Sequence, residues 1–110
     1  MFSEEKPQSP KFDSPLRDMF VKTFGKKVTL ECIIKGVPRP QVTWYHNEKE
    51  IDITSGNYCV SFTEDRAMLI ILKVTKEVGG KYTCRAVNEH GEEVSTAYLY
   101  VGGKKCSVLM

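Results

Sequence analysis

Apolar and polar residues alternate in short runs along this chain, and turn-forming residues separate the runs. In Lys27–Lys35, Val28, Leu30, Cys32 and Ile34 share one face, and Thr29, Glu31 and Ile33 the other. A period of two marks a strand with one buried face, whereas an amphipathic helix repeats every ~3.6 residues. Gly36-Val37-Pro38-Arg39-Pro40 ends that run, because proline has no N–H to give to a ladder. Gln41–His46 follows with Val42 and Trp44 inward, and Asn47-Glu48-Lys49-Glu50 reads as a polar turn. Ile51–Ile53 reads as a short edge segment, Tyr58–Phe62 as a strand, and Ala67–Lys73 as a strand with Leu69 and Ile71 inward. Gly80–Asn88 turns Tyr82, Cys84 and Ala86 inward, Glu89-His90-Gly91 makes a hairpin, and Val94–Val101 closes with Ala97, Leu99 and Val101 inward. No run sustains a helical stripe. Short strands at intervals of about 8–12 residues predict an all-β sandwich or barrel.

One constellation narrows that choice. Cys32 lies in one strand, Trp44 in the next, and Cys84 much later with Tyr82 two residues before it. A bulky indole against two small facing cysteines fills the centre of a two-sheet core, and a tyrosine two positions before the second cysteine is the spacing of a tyrosine corner. Cys32, Trp44, Leu69, Tyr82, Cys84 and Leu99 are therefore the expected core.

These residues resemble the immunoglobulin superfamily, and its intermediate (I-set) branch in particular, over about Pro10–Val101. The resemblance rests on Gly-Lys-Lys-Val-Thr-Leu-Glu-Cys (Gly25–Cys32), Gly-Val-Pro-Arg-Pro (Gly36–Pro40), Val-Thr-Trp-Tyr (Val42–Tyr45), Gly-Lys-Tyr-Thr-Cys (Gly80–Cys84) and Ala-Val-Asn-Glu-His-Gly (Ala86–Gly91). The chain looks most like the cytoplasmic immunoglobulin domains of giant muscle and cytoskeletal proteins such as titin, obscurin, myosin light chain kinase and palladin. That implies a Greek-key β-sandwich over residues 10–101, with flexible segments at 1–9 and 102–110. Val78 stands where the family usually carries Asp, so the ion pair from that Asp to an arginine lacks its carboxylate unless a shifted turn brings in Glu77.

Composition keeps the chain among ordinary soluble domains: 110 residues, 41% hydrophobic and 27% charged, long enough for one core. Sixteen basic and fourteen acidic residues are interspersed, so the concentrated basic stripe that nucleic acid demands is missing. Scattered lysines such as Lys22, Lys26, Lys27 and Lys35 could meet actin or acidic lipid, but such residues ordinarily serve solubility. The longest apolar run, Met68–Leu72, is far too short to span a bilayer. Met1–Ser9 has no apolar signal core, and Asn47, Asn57 and Asn88 lack the serine or threonine of a glycosylation acceptor. Both point to the cytoplasm.

Chemistry has little footing. There is no Gly-x-Ser-x-Gly elbow, phosphate loop or His-Glu-x-x-His, and the cysteines form no Cys-x-x-Cys pair. His46 and His90 read as solvated turn residues, Glu64-Asp65 as a charged turn and Cys59 as an incidental thiol. Cys106 is fifth from the end, one position off a prenylation motif. Cys32 and Cys84 face each other across the sandwich with two readings open. In an extracellular domain they form a disulfide worth about 4 kcal/mol in the loop-entropy account; in a reducing cytosol they are buried thiols against Trp44, which the resemblance favours.

The expected function is a non-catalytic structural and interaction module. The resemblance implies protein partners and neighbouring immunoglobulin or fibronectin-type domains, with no cofactor, metal, small-molecule substrate, nucleic acid or membrane insertion; the alternative is an extracellular adhesion or receptor domain. Alternation turns Tyr45, Arg85, Val87, Tyr98 and Tyr100 outward on one sheet, and family topology sets Phe20 and Phe24 on the strand beside the last one. Rings and an arginine on one face suit a protein interface, unless the rings serve only as cross-strand pairs within the sheet.

Overall fold

In the computed structural model, which describes residues 6–102, the alternating runs become strands of two facing sheets. They are β1 (Gln8–Ser14), β2 (Met19–Val21), β3 (Val28–Val37), β4 (Gln41–His46), β5 (Lys49–Glu50), β6 (Tyr58–Thr63), β7 (Arg66–Ile71), β8 (Gly80–Asn88) and β9 (Gly91–Val101). One sheet runs β1-β3-β7-β6 and the other β2-β9-β8-β4-β5. The β2–β9 pair is parallel and the rest are antiparallel. The architecture is a β-sandwich with the strand set of an immunoglobulin domain.

The core forms where the inward faces meet. Leu30, Cys32 and Ile34 of β3 and Leu69 and Ile71 of β7 close against Trp44, Tyr82, Cys84, Ala86, Ala97 and Leu99 of the other sheet, all buried. Each large side chain removed from water there contributes about 1.5–3 kcal/mol. Trp44 lies beside Cys84 in the β4–β8 ladder. The Cys32 and Cys84 sulfurs are free thiols 3.8 Å apart.

Polar side chains lock the crossings between sheets. Leu16 N–H donates to the buried Ser95 hydroxyl at 2.9 Å and Tyr98 N–H to the Asp18 carboxylate at 2.8 Å, fixing the β1–β2 link against β9. Asn88 donates to the Gln8 and Pro38 carbonyls and accepts from His90 N–H, tying the start of β1, the β3–β4 loop and the β8–β9 hairpin into one pole.

The structure corrects several expectations. β1 begins at Gln8, so Gln8 and Ser9 belong to a sheet rather than to a flexible segment; residues 1–5 and 103–110 lie outside the described residues, Cys106 among them. Asn47 and Glu48 adopt positive φ (51° and 71°), a tight hairpin that lets pairing resume at once in β5. Ile53, expected on an edge segment at Ile51–Ile53, instead opens a 3-10 turn capped by Asp52, which accepts from the Thr54 hydroxyl and from Thr54 N–H at 2.9 Å, bonds that hold its carboxyl below the usual range. His46 is not a solvated turn residue: it is half-buried at the end of β4, stacks on Tyr82 with centroids 4.5 Å apart, and hydrogen-bonds the Gly79 carbonyl at 2.9 Å.

Candidate protein-interaction face

The outer face of the second sheet carries most of the residues that alternation turned outward. Main-chain pairing sets Phe20 beside Tyr100, and their rings stack with centroids 4.8 Å apart at 19°. Tyr98 extends the row, its centroid 6.2 Å from that of Tyr100. Phe20, Tyr100 and Tyr98 stay 74%, 47% and 43% exposed, a ladder of rings open to solvent. Lys81 is Tyr98's neighbour on β8 and binds Glu48 at 2.7 Å. The Ser95 and Asp18 bonds hold the incoming chain so that β2 can reach β9 at all.

The remaining candidates divide. Arg85 grips Glu92 through two hydrogen bonds of 2.9 and 3.2 Å, which raises the guanidinium's pKa and lowers the carboxyl's. That arginine is already engaged rather than offered to a partner. Tyr45 and Val87 are half-buried on the same face. Phe24 is not on the β2 strand, which ends at Val21; it sits in the following turn, 56% exposed, with Gly102 packed beneath its ring. Sequence reasoning missed Val94, 53% exposed opposite Arg85. The alternation of β9, which already turned Tyr98 and Tyr100 outward, carried that signal.

The tyrosine corner lies at the far side of this sheet. Tyr82 is fully buried and its hydroxyl donates to the Val78 carbonyl, four residues upstream, at 2.5 Å. Burial pushes its phenol pKa up, and the nearby Tyr58 hydroxyl adds to the effect. The Cys84 thiol is likewise pushed up, first by its contact with Cys32 and then by burial, so it stays protonated and unreactive. Among the described residues no group of three or more His, Cys, Asp and Glu side chains could hold a metal ion.

The family description "Immunoglobulin I-set domain" matches residues 10–101. The chain belongs to the immunoglobulin I-set family. Over 104 residues, 94% of this chain, it is 36% identical to the titin homolog of Caenorhabditis elegans, and over 106 residues, 96% of it, 33% identical to myopalladin of Mus musculus. It is also 38% identical over 96 residues, 87% of its length, to vascular endothelial growth factor receptor 1 of Gallus gallus. The chain spans 1%, 8% and 7% of those three proteins. Among solved structures, the titin domains Z1Z2 in complex with telethonin superpose with a TM-score of 0.82 at 34% identity, covering 88% of this chain and 49% of that chain.

Proposed function

We propose that this I-set domain is a non-catalytic spacer and docking module of an intracellular muscle or cytoskeletal protein, receiving protein partners on the Phe20–Tyr100–Tyr98 face. The exposed ladder of stacked rings carries this reading, since aromatic side chains anchor interfaces by burying large areas at low entropic cost. The spacer role is supported by the path of the chain. It enters at the pole where Asn88 holds the Gln8 carbonyl and leaves at the other end of β9, where Gly102 N–H donates to Val21 O. β9 runs 11 residues between those poles, so neighbouring immunoglobulin or fibronectin-type domains would lie end to end. Similarity to the titin homolog and myopalladin supports the muscle setting and a cytoplasmic location.

The test compares the unsubstituted domain with Phe20→Ser and Tyr98→Ser in retention of proteins from muscle extract, alongside thermal melts. The docking role predicts loss of a specific retained protein with little change in melting temperature. Loss of stability together with binding, or no retained protein at all, assigns the rings to cross-strand packing alone.

A second reading, an extracellular receptor or adhesion domain, draws on the similarity to the growth factor receptor. A thiol titration of protein made without reductant separates the two, because a bonded Cys32–Cys84 pair removes two titratable thiols.

A further inference from the structure

Among the described residues each sheet has two edge strands, and three of these four edges are protected. β1 carries Pro10, Lys11 and Asp13 and pairs through shifted registers. β5 has two residues, both charged, and β2 has three. Short length, charge, proline and bulges are the usual means of keeping an edge from adding a further strand. β6 has none of them. It reads Tyr-Cys-Val-Ser-Phe-Thr, has no charged residue, proline or glycine, and pairs with β7 over six positions without a shift.

The main-chain groups at that edge can be assigned. Leu72 N–H donates to Asn57 O, which places Asn57 on the row bonded to β7. Antiparallel pairing alternates, so Cys59 and Ser61 also bond inward while Tyr58, Val60 and Phe62 turn their N–H and C=O groups to the open side. The guanidinium of Arg39 agrees with this: it reaches round to donate to the carbonyls of Phe62 at 2.6 Å and Glu64 at 2.7 Å, and stacks 3.8 Å above the Phe62 ring. Arg39 thus covers one end of the edge. The Tyr58 and Val60 groups have no partner among the described residues, and the Val60 side chain is 40% exposed.

We propose that the open edge of β6 pairs antiparallel with β6 of a second copy of this chain, and that Arg39 restrains the pairing. The occupant follows from the strand itself. Without charge it neither repels its own copy nor attracts a charged segment of another protein. In the twofold register centred on Val60, every edge-facing group meets an edge-facing group: Val60 lies opposite its counterpart, and Tyr58 opposite Phe62 of the other copy. That register also makes two aromatic cross-strand pairs flanking a valine pair, a favourable combination. Two four-stranded sheets then run on as one. Full pairing requires Arg39 to give up the Phe62 carbonyl, so the arginine competes with the incoming strand. A single strand pair is a small contact, of the size of weak, transient associations.

Sedimentation velocity over a concentration series tests this on the full chain carrying Cys106→Ser, which removes a thiol outside the described residues. In that background Arg39→Ala should tighten dimerisation at least about tenfold, and Val60→Lys, which sets two ammonium groups face to face at the axis, should leave only monomer. In the dimer the two Cys59 side chains are diagonal neighbours about 7–8 Å apart on the outer face, within reach of a short bis-maleimide, while Cys32 and Cys84 are buried. Cross-linking should therefore rise with Arg39→Ala and vanish with Val60→Lys. Monomer throughout the series in both the Cys106→Ser background and Arg39→Ala overturns the proposal. So does a dimer that survives Val60→Lys, fails to cross-link through Cys59, or is abolished by Phe20→Ser, which would place the contact on the aromatic face instead.

Discussion

Replacing Tyr82 with phenylalanine removes one oxygen from the centre of the domain and leaves the ring, its burial and its stacking on His46 in place. The hydroxyl donates to the Val78 carbonyl at 2.5 Å, and Val78 itself is only 4% exposed. Losing an ordinary intramolecular hydrogen bond costs about 0.5–1.5 kcal/mol, and stranding a buried acceptor adds its desolvation penalty, so a loss of about 1.5–3 kcal/mol is expected. For a domain of this size each kcal/mol lowers the melting temperature by about 4–8 °C. The neighbouring Tyr58 provides the control. Its hydroxyl lies 3.4 Å from that of Tyr82, too long for a strong bond, and Tyr58→Phe should cost under about 0.5 kcal/mol. Urea midpoints for the three proteins measure both values, provided the slopes agree. Equal midpoints for Tyr82→Phe and the unsubstituted protein, or equal losses in the two variants, would refute the tyrosine corner as the source of the stability.

Trp44, 4% exposed at the centre of the core, should cost about 3–5 kcal/mol as Trp44→Ala, seen as a large drop in a cooperative thermal transition; an unchanged transition contradicts its place in the packing. The Cys84 thiol is held above its ordinary value of 9.0, so the unfolded chain releases its proton first; stability is full below about pH 8 and falls at up to about 1.4 kcal/mol per unit as pH rises past that value. Urea midpoints from pH 8 to 10 should show this slope and Cys84→Ala should flatten it, whereas a flat profile in the unsubstituted protein refutes it.

The strands that were legible in the sequence are those with one face fully buried. β3, β7, β8 and β9 each pack an unbroken set of alternate residues into the core, so a period of two is written in their residue types. β1 was not legible as a strand because it is an edge with shifted pairing, and Pro10, Lys11 and Asp13 hide its inward positions. β5 was invisible for a different reason: its two charged residues pair only because Asn47 and Glu48 turn the chain so tightly. Phe20, Tyr98 and Tyr100 came together because strand pairing is local and regular there. Phe24 did not join them because β2 ends three residues earlier, a boundary no residue type announces. His46 shows the limit of reading polarity as exposure. Its ring is covered by Tyr82, its register partner on β8, and alternation cannot show that a polar strand end will be capped in this way.

Val78 explains why so much rests on one phenol. The family's usual aspartate would hold the turn before β8 through an arginine, but here the position is apolar and buried. Glu77 remains exposed without bringing a carboxylate to the turn. Exchanging a buried ion pair for a packed apolar side chain is often neutral or stabilising, because two charges no longer need desolvating. What the exchange removes is a directional tie. The turn is left with main-chain bonds from Val78 N–H to Thr75 O at 3.2 Å and Gly79 N–H to Lys76 O at 3.3 Å, both long, and two side-chain anchors. Those anchors are Tyr82 on the Val78 carbonyl and His46 on the Gly79 carbonyl, and their rings stack on each other. The corner therefore acts as a unit: removing the Tyr82 ring, rather than its hydroxyl alone, would unseat His46 as well as lose the bond to Val78. Where an aspartate–arginine pair would share the load, this domain concentrates it on two adjacent aromatic rings.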